Sequence, residues 1–243
     1  MNSVSIEINN LNKKFNNILA VKNINFKIKK GSIVGLLGPN GCGKTTTIGM
    51  MLGLIKPSSG NVLINGQNIE IEKNRTKILE KMNFISPYVE LPKKLTVEEN
   101  LIVYGKLYGV KNLKDKVSDL MKQLNLLDFR KRKTGELSSG QKNRVSLAKA
   151  LVNDPEILLL DEPTASLDPD VGDYIRTYIE SFASKKGTTI LLASHNMNEV
   201  ERLCSEVMMM KNGEIIDKGK SSDLITKHGR KNLEEVFLKI VRG

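Results

Sequence analysis

Tryptophan is absent, and the aromatic residues together make up only 5% of the chain. Base-stacking nucleic-acid platforms normally need several aromatics, so this scarcity counts against one. Cysteine is equally sparse. Cys42 and Cys204 are too few for a disulfide framework and neither sits in a metal-ligand spacing, which fits a reducing, cytosolic setting. The start, Met-Asn-Ser-Val-Ser-Ile-Glu-Ile, lacks the basic-then-apolar pattern of a signal peptide. Long apolar runs are missing too. Ile33–Leu37 and Ile157–Leu160 are strand-length, far from the roughly 20 apolar residues of a membrane helix. If the chain works at a membrane, another subunit must supply the span. There is no internal repeat and no low-complexity segment.

What remains is a globular composition. Of 243 residues, 40% are hydrophobic, enough for a sizeable core. The formal net charge of +11 suits anionic partners, whether nucleotides, nucleic acid or an anionic membrane surface. A solvated, lysine-rich surface accounts for it equally well. The basic residues are scattered, with short clusters at Lys27–Lys30 and Arg130–Lys133 that no aromatics interleave.

Apolar–polar alternation predicts half-buried strands at Val4–Ile8 and Ala20–Ile28. After the turn Lys30-Gly31-Ser32, Ile33–Leu37 reads as a buried strand and Thr45–Leu54 as a helix. A strand at Asn61–Ile64 ends in the hairpin-type turn Asn65-Gly66. From about Thr96 to Asn153 the pattern is helical. The Thr96–Glu99 capping box opens a helix over Val97–Tyr108, and further helices follow over Leu113–Leu127 and from Ser138–Gly140 to Asn153. Strands return at Ile157–Leu160, Thr188–Ala193 and Glu206–Met210, separated by helices over Asp170–Ser184 and Met197–Leu203. A hairpin into Glu214–Asp217 and helices near Ser222–Lys227 and Leu233–Val241 finish the chain. Alternating strands and helices imply an α/β protein whose parallel sheet is covered on both faces.

The strongest motif is Gly38-Pro39-Asn40-Gly41-Cys42-Gly43-Lys44-Thr45, a G-x-x-x-x-G-K-[ST] phosphate loop between a buried strand and a helix. Its glycines let successive amides point inward as an anion nest, and the helix start adds positive potential. Lys44 supplies a point charge for the β and γ phosphates, and the Thr45 hydroxyl suits Mg²⁺. A second constellation is Ile157-Leu158-Leu159-Leu160-Asp161-Glu162. It puts an acid at the C-terminal edge of the sheet, where open α/β sheets bind ligands. Asp161 is placed to hold Mg²⁺ and Glu162 to polarise an attacking water. A third is Leu137-Ser138-Ser139-Gly140-Gln141 at a helix start. It reads either as an ordinary cap or as a second phosphate site serving a nucleotide held by another copy of the chain.

Together these motifs resemble the nucleotide-binding subunit of an ABC transporter. The Walker A loop, the LSSGQ signature, the Walker B strand, the D-loop Ser166-Leu167-Asp168 and the switch His195 stand in the family's order over nearly the whole chain. No Asn-Lys-x-Asp motif follows the loop, so a GTPase fits poorly. The resemblance implies a P-loop NTPase sheet core with an N-terminal antiparallel β lobe and an inserted helical subdomain at about 96–153. The whole of 1–243 then forms one ATPase domain, with a C-terminal hairpin and helices at about 206–243. ATP and Mg²⁺ are the implied cofactors. Residues Gly38 to Thr45 with Thr46 would bind the nucleotide, Phe15 would stack on adenine with Val21 beside it, and Thr45 with Asp161 would hold the metal. Glu162 is the implied general base and His195 its γ-phosphate-sensing partner. Ser138, Ser139, Gly140, Gln141 and Asp168 would act across a head-to-tail dimer.

The implied partners are a second ATPase subunit, most simply an identical copy, and a membrane permease carried on another chain, with the ATPase at the cytoplasmic face. No nucleic acid is expected. The segment Leu91-Pro92-Lys93-Lys94-Leu95-Thr96-Val97 resembles subunits serving ABC-2-type exporters. The alternatives are a soluble ABC-type ATPase acting on nucleic acid or an assembly partner, and a switch that binds ATP without hydrolysing it.

The sequence departs from the family at the Q-loop. Aligned on Leu95-Thr96-Val97, Pro87 falls on the usual Gln and offers no side-chain ligand. Ser86, Tyr88 or Glu90 would have to substitute, or water would. Cys42, at a helix start beside Lys44, is expected to carry a lowered pKa and to block nucleotide binding when alkylated.

Overall fold

The computed structural model describes residues 3–242 apart from Tyr88 and Ser166. Strands β1 (Val4–Phe15) and β2 (Ile18–Lys29) form a long antiparallel hairpin, turning where Phe15 pairs with Ile18. Strands β4 (Ser59–Ile64) and β5 (Gln67–Asn68) extend it to the order β2-β1-β4-β5. Both long strands overrun the sequence-based spans. Apart from the buried Leu11, the added residues are polar or exposed, so alternation could not mark them.

The second sheet has the order β10-β9-β3-β8-β7-β6. Strands β3 (Ile33–Leu37), β6 (Met82–Ile85), β7 (Ile157–Asp161), β8 (Thr189–Ser194) and β9 (Glu206–Lys211) run parallel, and β10 (Glu214–Gly219) is antiparallel to β9. The residues of β7 show why the central strands are apolar throughout. Leu158 and Leu160 pack into the helical side of the core, while Ile157 and Leu159 pack toward the antiparallel sheet. Both faces are covered, so neither can be polar.

Helix α1 (Lys44–Met51) follows β3 and stops short of the expected Leu54, where Gly53 turns left-handed at φ 66. Helix α2 (Glu72–Leu79) was not anticipated. It buries only Ile78, so it has almost no apolar period to read. Between β6 and β7 lie α3 (Val97–Leu107), α4 (Leu113–Gln123) and α5 (Ser139–Leu151). The Thr96–Glu99 capping box closes as expected, with the Glu99 amide donating to Thr96 Oγ1 at 3.2 Å and the Thr96 amide to Glu99 Oε2 at 2.8 Å. Helix α4 ends earlier than Leu127, and a short 3₁₀ turn takes over Leu127–Phe129. Helices α6 (Pro169–Lys186), α7 (Met197–Leu203), α8 (Ser221–His228) and α9 (Leu233–Arg242) complete the chain.

A buried lysine ties α5 to the sheet. Lys149 Nζ donates to the Phe84 carbonyl at 2.8 Å, and lies 4.9 Å from the Phe84 ring centroid and 5.7 Å from that of Tyr104. Burial lowers its pKa from 10.5 to about 8. Between those values the unfolded chain holds a proton that the folded chain has released, so stability rises with pH across that window. Relative to Lys149→Met, the wild type should gain up to about 3 kcal/mol from pH 8 to pH 10.5, measured by urea unfolding. A stability difference between the two proteins that stays constant with pH would refute this.

Candidate nucleotide site

Parallel register brings the motif residues to one edge. Leu37 of β3 pairs with Ser194 of β8, Ala193 of β8 with Asp161 of β7, and Leu160 of β7 with Ile85 of β6. The phosphate loop, His195, Asp161–Glu162 and Ser86–Pro87 therefore leave four adjacent strands at the same level. At this edge lies a cavity of about 250 Å³ lined by Asn40, Gly41, Gly43, Lys44, Thr45, Thr46, Asp161 and Glu162, together with Ala20 and Pro87 but not His195.

Two glycines shape the loop. Gly43 begins α1 at φ 114, and a Cβ there would meet the Ala20 carbonyl at 2.6 Å. Gly38 lies so close to β9 that a Cβ would stand 2.5 Å from the Met210 carbonyl. Lys44 is nearly buried and folds back on its own loop, donating to the Gly38 carbonyl at 2.6 Å and that of Pro39 at 3.2 Å. These carbonyls hold the ammonium within the loop, where an anionic acceptor can compete for it.

Thr45 Oγ1 donates to Asp161 Oδ2 at 3.0 Å. Burial raises the Asp161 pKa, as does the neighbouring Glu162 charge, while hydrogen bonds from Thr45 and Ser86 and the Lys44 charge pull it down. A hydroxyl beside a buried carboxylate is an all-oxygen donor pair, the chemistry Mg²⁺ prefers, so these residues fit that ion. Pro87 does line this cavity. Of the three residues considered as substitutes for a Gln there, Ser86 bears on Asp161, Glu90 pairs with Lys93 at 2.7 Å, and Tyr88 lies outside the described residues.

Glu162 has an unusual backbone. Its φ is 52, left-handed for a long non-glycine side chain, and its amide donates to the Ala193 carbonyl at 2.8 Å. Glu162 Oε1 lies 2.7 Å from His195 Nδ1. An ionised carboxylate only accepts, so Nδ1 carries the proton in that contact. The His195 ring is otherwise exposed, with 60% of its side chain open.

The signature stands apart from this cavity. Ser138 caps α5, its Oγ accepting from the Gln141 amide at 3.3 Å while its own amide donates to Gln141 Oε1 at 3.0 Å. Neither Ser138, Ser139, Gly140 nor Gln141 lines the phosphate-loop cavity among the described residues. Ser139 instead faces a second cavity of about 320 Å³ between α5 and residues 85–93, which shares Glu162 as a wall. Asp168 starts α6 without capping it through its side chain, and its D-loop neighbour Ser166 lies outside the described residues.

Two expectations need correction. Val21 is fully buried behind Gly43, so it backs the loop from the core and presents no surface to a base. Phe15 is 44% exposed at the hairpin end, with Lys13 Nζ 4.8 Å from its ring centroid. Cys42 is not activated. Its side chain turns into the core at 4% exposure, and burial raises its pKa by more than the Lys44 charge lowers it. Spacing alone could not show which way that side chain turns. Reading by spacing also missed Ala20 at the cavity and Glu199, which bonds Thr164 and Ser194. Glu199 carries no local signal beyond an acid on the core face of α7.

A strand–loop–helix phosphate site facing a strand-end acid defines a nucleoside triphosphatase of the P-loop class. Residues 21–165 match the family described as ABC transporter, and the chain belongs to that family. It is 34% identical over 230 residues to the ABC transporter ATP-binding protein NatA of Bacillus subtilis (strain 168), covering 93% of this chain and 92% of that one. It is also 34% identical to the Nod factor export ATP-binding protein I of Rhizobium sp. (strain N33), covering 98% and 78%. Among solved structures, the ATP-binding cassette MJ0796, described as dimeric and in a post-hydrolysis state bound to ADP and Pi, superposes with a TM-score of 0.82. That match has 28% identity and covers 88% of this chain and 98% of the other. The protein is an ATP-binding ATPase of the ABC transporter family.

Because the Cys42 thiol is buried, native protein at pH 7 should react with a maleimide at least about 10-fold more slowly at this position than urea-unfolded protein. Peptide mass mapping reads the two cysteines separately. Equal rates in the two states would contradict the burial.

Proposed function

We propose that this chain powers export through a permease carried on another chain, working as one ABC ATPase unit at the cytoplasmic face of the membrane. The single observation that carries the catalytic part is the Glu162–His195 contact at 2.7 Å, on the same strand-end edge as Lys44, Thr45 and Asp161. Lys44 and the loop amides hold the β and γ phosphates. Thr45 and Asp161 would hold Mg²⁺, which when bound would supply positive charge against the developing phosphate charge. Glu162 accepts a proton from the attacking water, and His195, donating through Nδ1, fixes the direction of that carboxylate.

The signature supports a dimer. Ser138 to Gln141 form a capped helix start that lies away from the loop cavity of their own chain, so they are available to a nucleotide held by a second copy. Exposed Asp168 is available to the same junction, and Phe15 offers an aromatic face for adenine. No described helix is long and apolar enough to cross a membrane. Export follows the likeness to a Nod factor export protein.

Glu162→Gln should lower the ATPase kcat by about 100-fold or more while leaving ATP affinity within about 3-fold. With ATP present, that variant should run as a dimer on size-exclusion chromatography. Retention of more than a tenth of the activity would remove Glu162 from the role of base. Failure to dimerise with ATP would remove the sandwich.

A further inference from the structure

Beneath the Glu162–His195 pair lies a carboxylate to which the proposed chemistry assigns no part. Glu199, on α7, is 1% exposed. Its Oε1 accepts from Thr164 Oγ1 at 2.8 Å and its Oε2 from Ser194 Oγ at 2.7 Å. Thr164 lies two residues after Glu162, and Ser194 immediately precedes His195. Ser194 Oγ in turn accepts from the Asn196 amide at 3.0 Å, and Asn196 Oδ1 accepts from the Glu199 amide at 3.3 Å. The bridge is thus anchored at the start of α7 itself.

A carboxylate in this place carries a cost. Burial raises the Glu199 pKa, the Glu162 charge adds to that, and only the two hydroxyls and Arg176 favour its ionised form. Val200 and Leu203 beside it on α7 are buried apolar residues, so the packing alone would accept an aliphatic side chain. What the carboxylate adds is a two-armed link between the chain segments that carry Glu162 and His195. Glu162 needs such support, because its left-handed backbone is sparsely populated for a non-glycine residue and persists only where the surroundings over-determine it. The backbone bond from Glu162 to Ala193 secures one side of the residue. The Thr164–Glu199–Ser194 bridge secures the other.

We propose that Glu199 is a positioning residue for ATP hydrolysis, whose carboxylate joins Thr164 to Ser194 and so keeps Glu162 in its left-handed conformation against His195. This rests on the reading of Glu162 and His195 given above, which the Glu162→Gln measurement tests separately.

The experiment uses the full chain and compares kcat, ATP affinity and Tm. Glu199→Ala should lower kcat by about 30-fold with ATP affinity held within about 3-fold, because the phosphate loop is untouched. Glu199→Gln can still hydrogen-bond both hydroxyls and should recover to within about 5-fold of wild type. Thr164→Val removes one arm at nearly constant volume and should lower kcat by about 10-fold even where Glu199→Ala fails to fold. In single-turnover assays, adding Glu199→Ala to His195→Ala should cost less than about 3-fold more, since both act on one geometry. The proposal is overturned if Thr164→Val or a folded Glu199→Ala keeps kcat within about 3-fold of wild type. It is equally overturned if kcat and ATP affinity fall together, if Glu199→Gln is no better than Glu199→Ala, or if the double-variant losses multiply.

Discussion

Level strand ends are the constraint on which the rest of this structure depends. Because β3, β8, β7 and β6 pair in parallel with Leu37 opposite Ser194, Asp161 opposite Ala193 and Ile85 opposite Leu160, four loops leave the sheet side by side. A shift of one residue in any pair would turn every side chain of that strand to the opposite face. Side-chain packing resists the shift, since Leu158 and Leu160 fill one core and Ile157 and Leu159 the other. Hydrophobic burial therefore brings the phosphate loop and Asp161 to one edge, where Thr45 bonds Asp161 at 3.0 Å.

Within that frame the polar groups hold one another in reserve. Lys44 rests on the carbonyls of its own loop, and Thr45 on Asp161. Each is a near neighbour that an incoming phosphate or cation can displace. Binding then exchanges one hydrogen bond for a charge-assisted one and need not create an interaction from nothing. The buried Asp161 carboxylate stands to gain most from that exchange, since burial and the adjacent Glu162 both disfavour its charge while it lacks a cation.

Most of the site could be read in the sequence because its chemistry is local. The glycine spacing, Lys44, Thr45, the acid pair after Leu160, the caps at Thr96 and Ser138 and the histidine after Ser194 each declare themselves within a few residues. The central strands were legible for the same reason, since an unbroken apolar run has few other uses. The failures are either non-local or lie where the local pattern is silent. Whether Cys42 faces the ligand or the core depends on Gly38 and β9, and the burial of Val21 depends on Gly43 packing over it. Helix α2 lacks an apolar stripe, and the strand ends at Phe15 and Lys29 are exposed. Glu199 looks like any helix acid until Thr164 arrives from another strand end.

Lys149 has a mechanical consequence. It sits on α5, the helix that the signature opens, and grips the carbonyl of Phe84, one residue before β6 ends and two before Ser86. Asn83 adds a second stitch, donating to the Lys149 carbonyl at 3.3 Å and to Asn153 Oδ1 at 3.0 Å. The end of β6 and the C-terminal part of α5 are thereby clamped together, while Pro87 and the signature's Ser139 line one cavity. A displacement of the segment carrying Ser86 and Pro87 is thereby passed through β6 to the helix that the signature opens, with no loose joint between them.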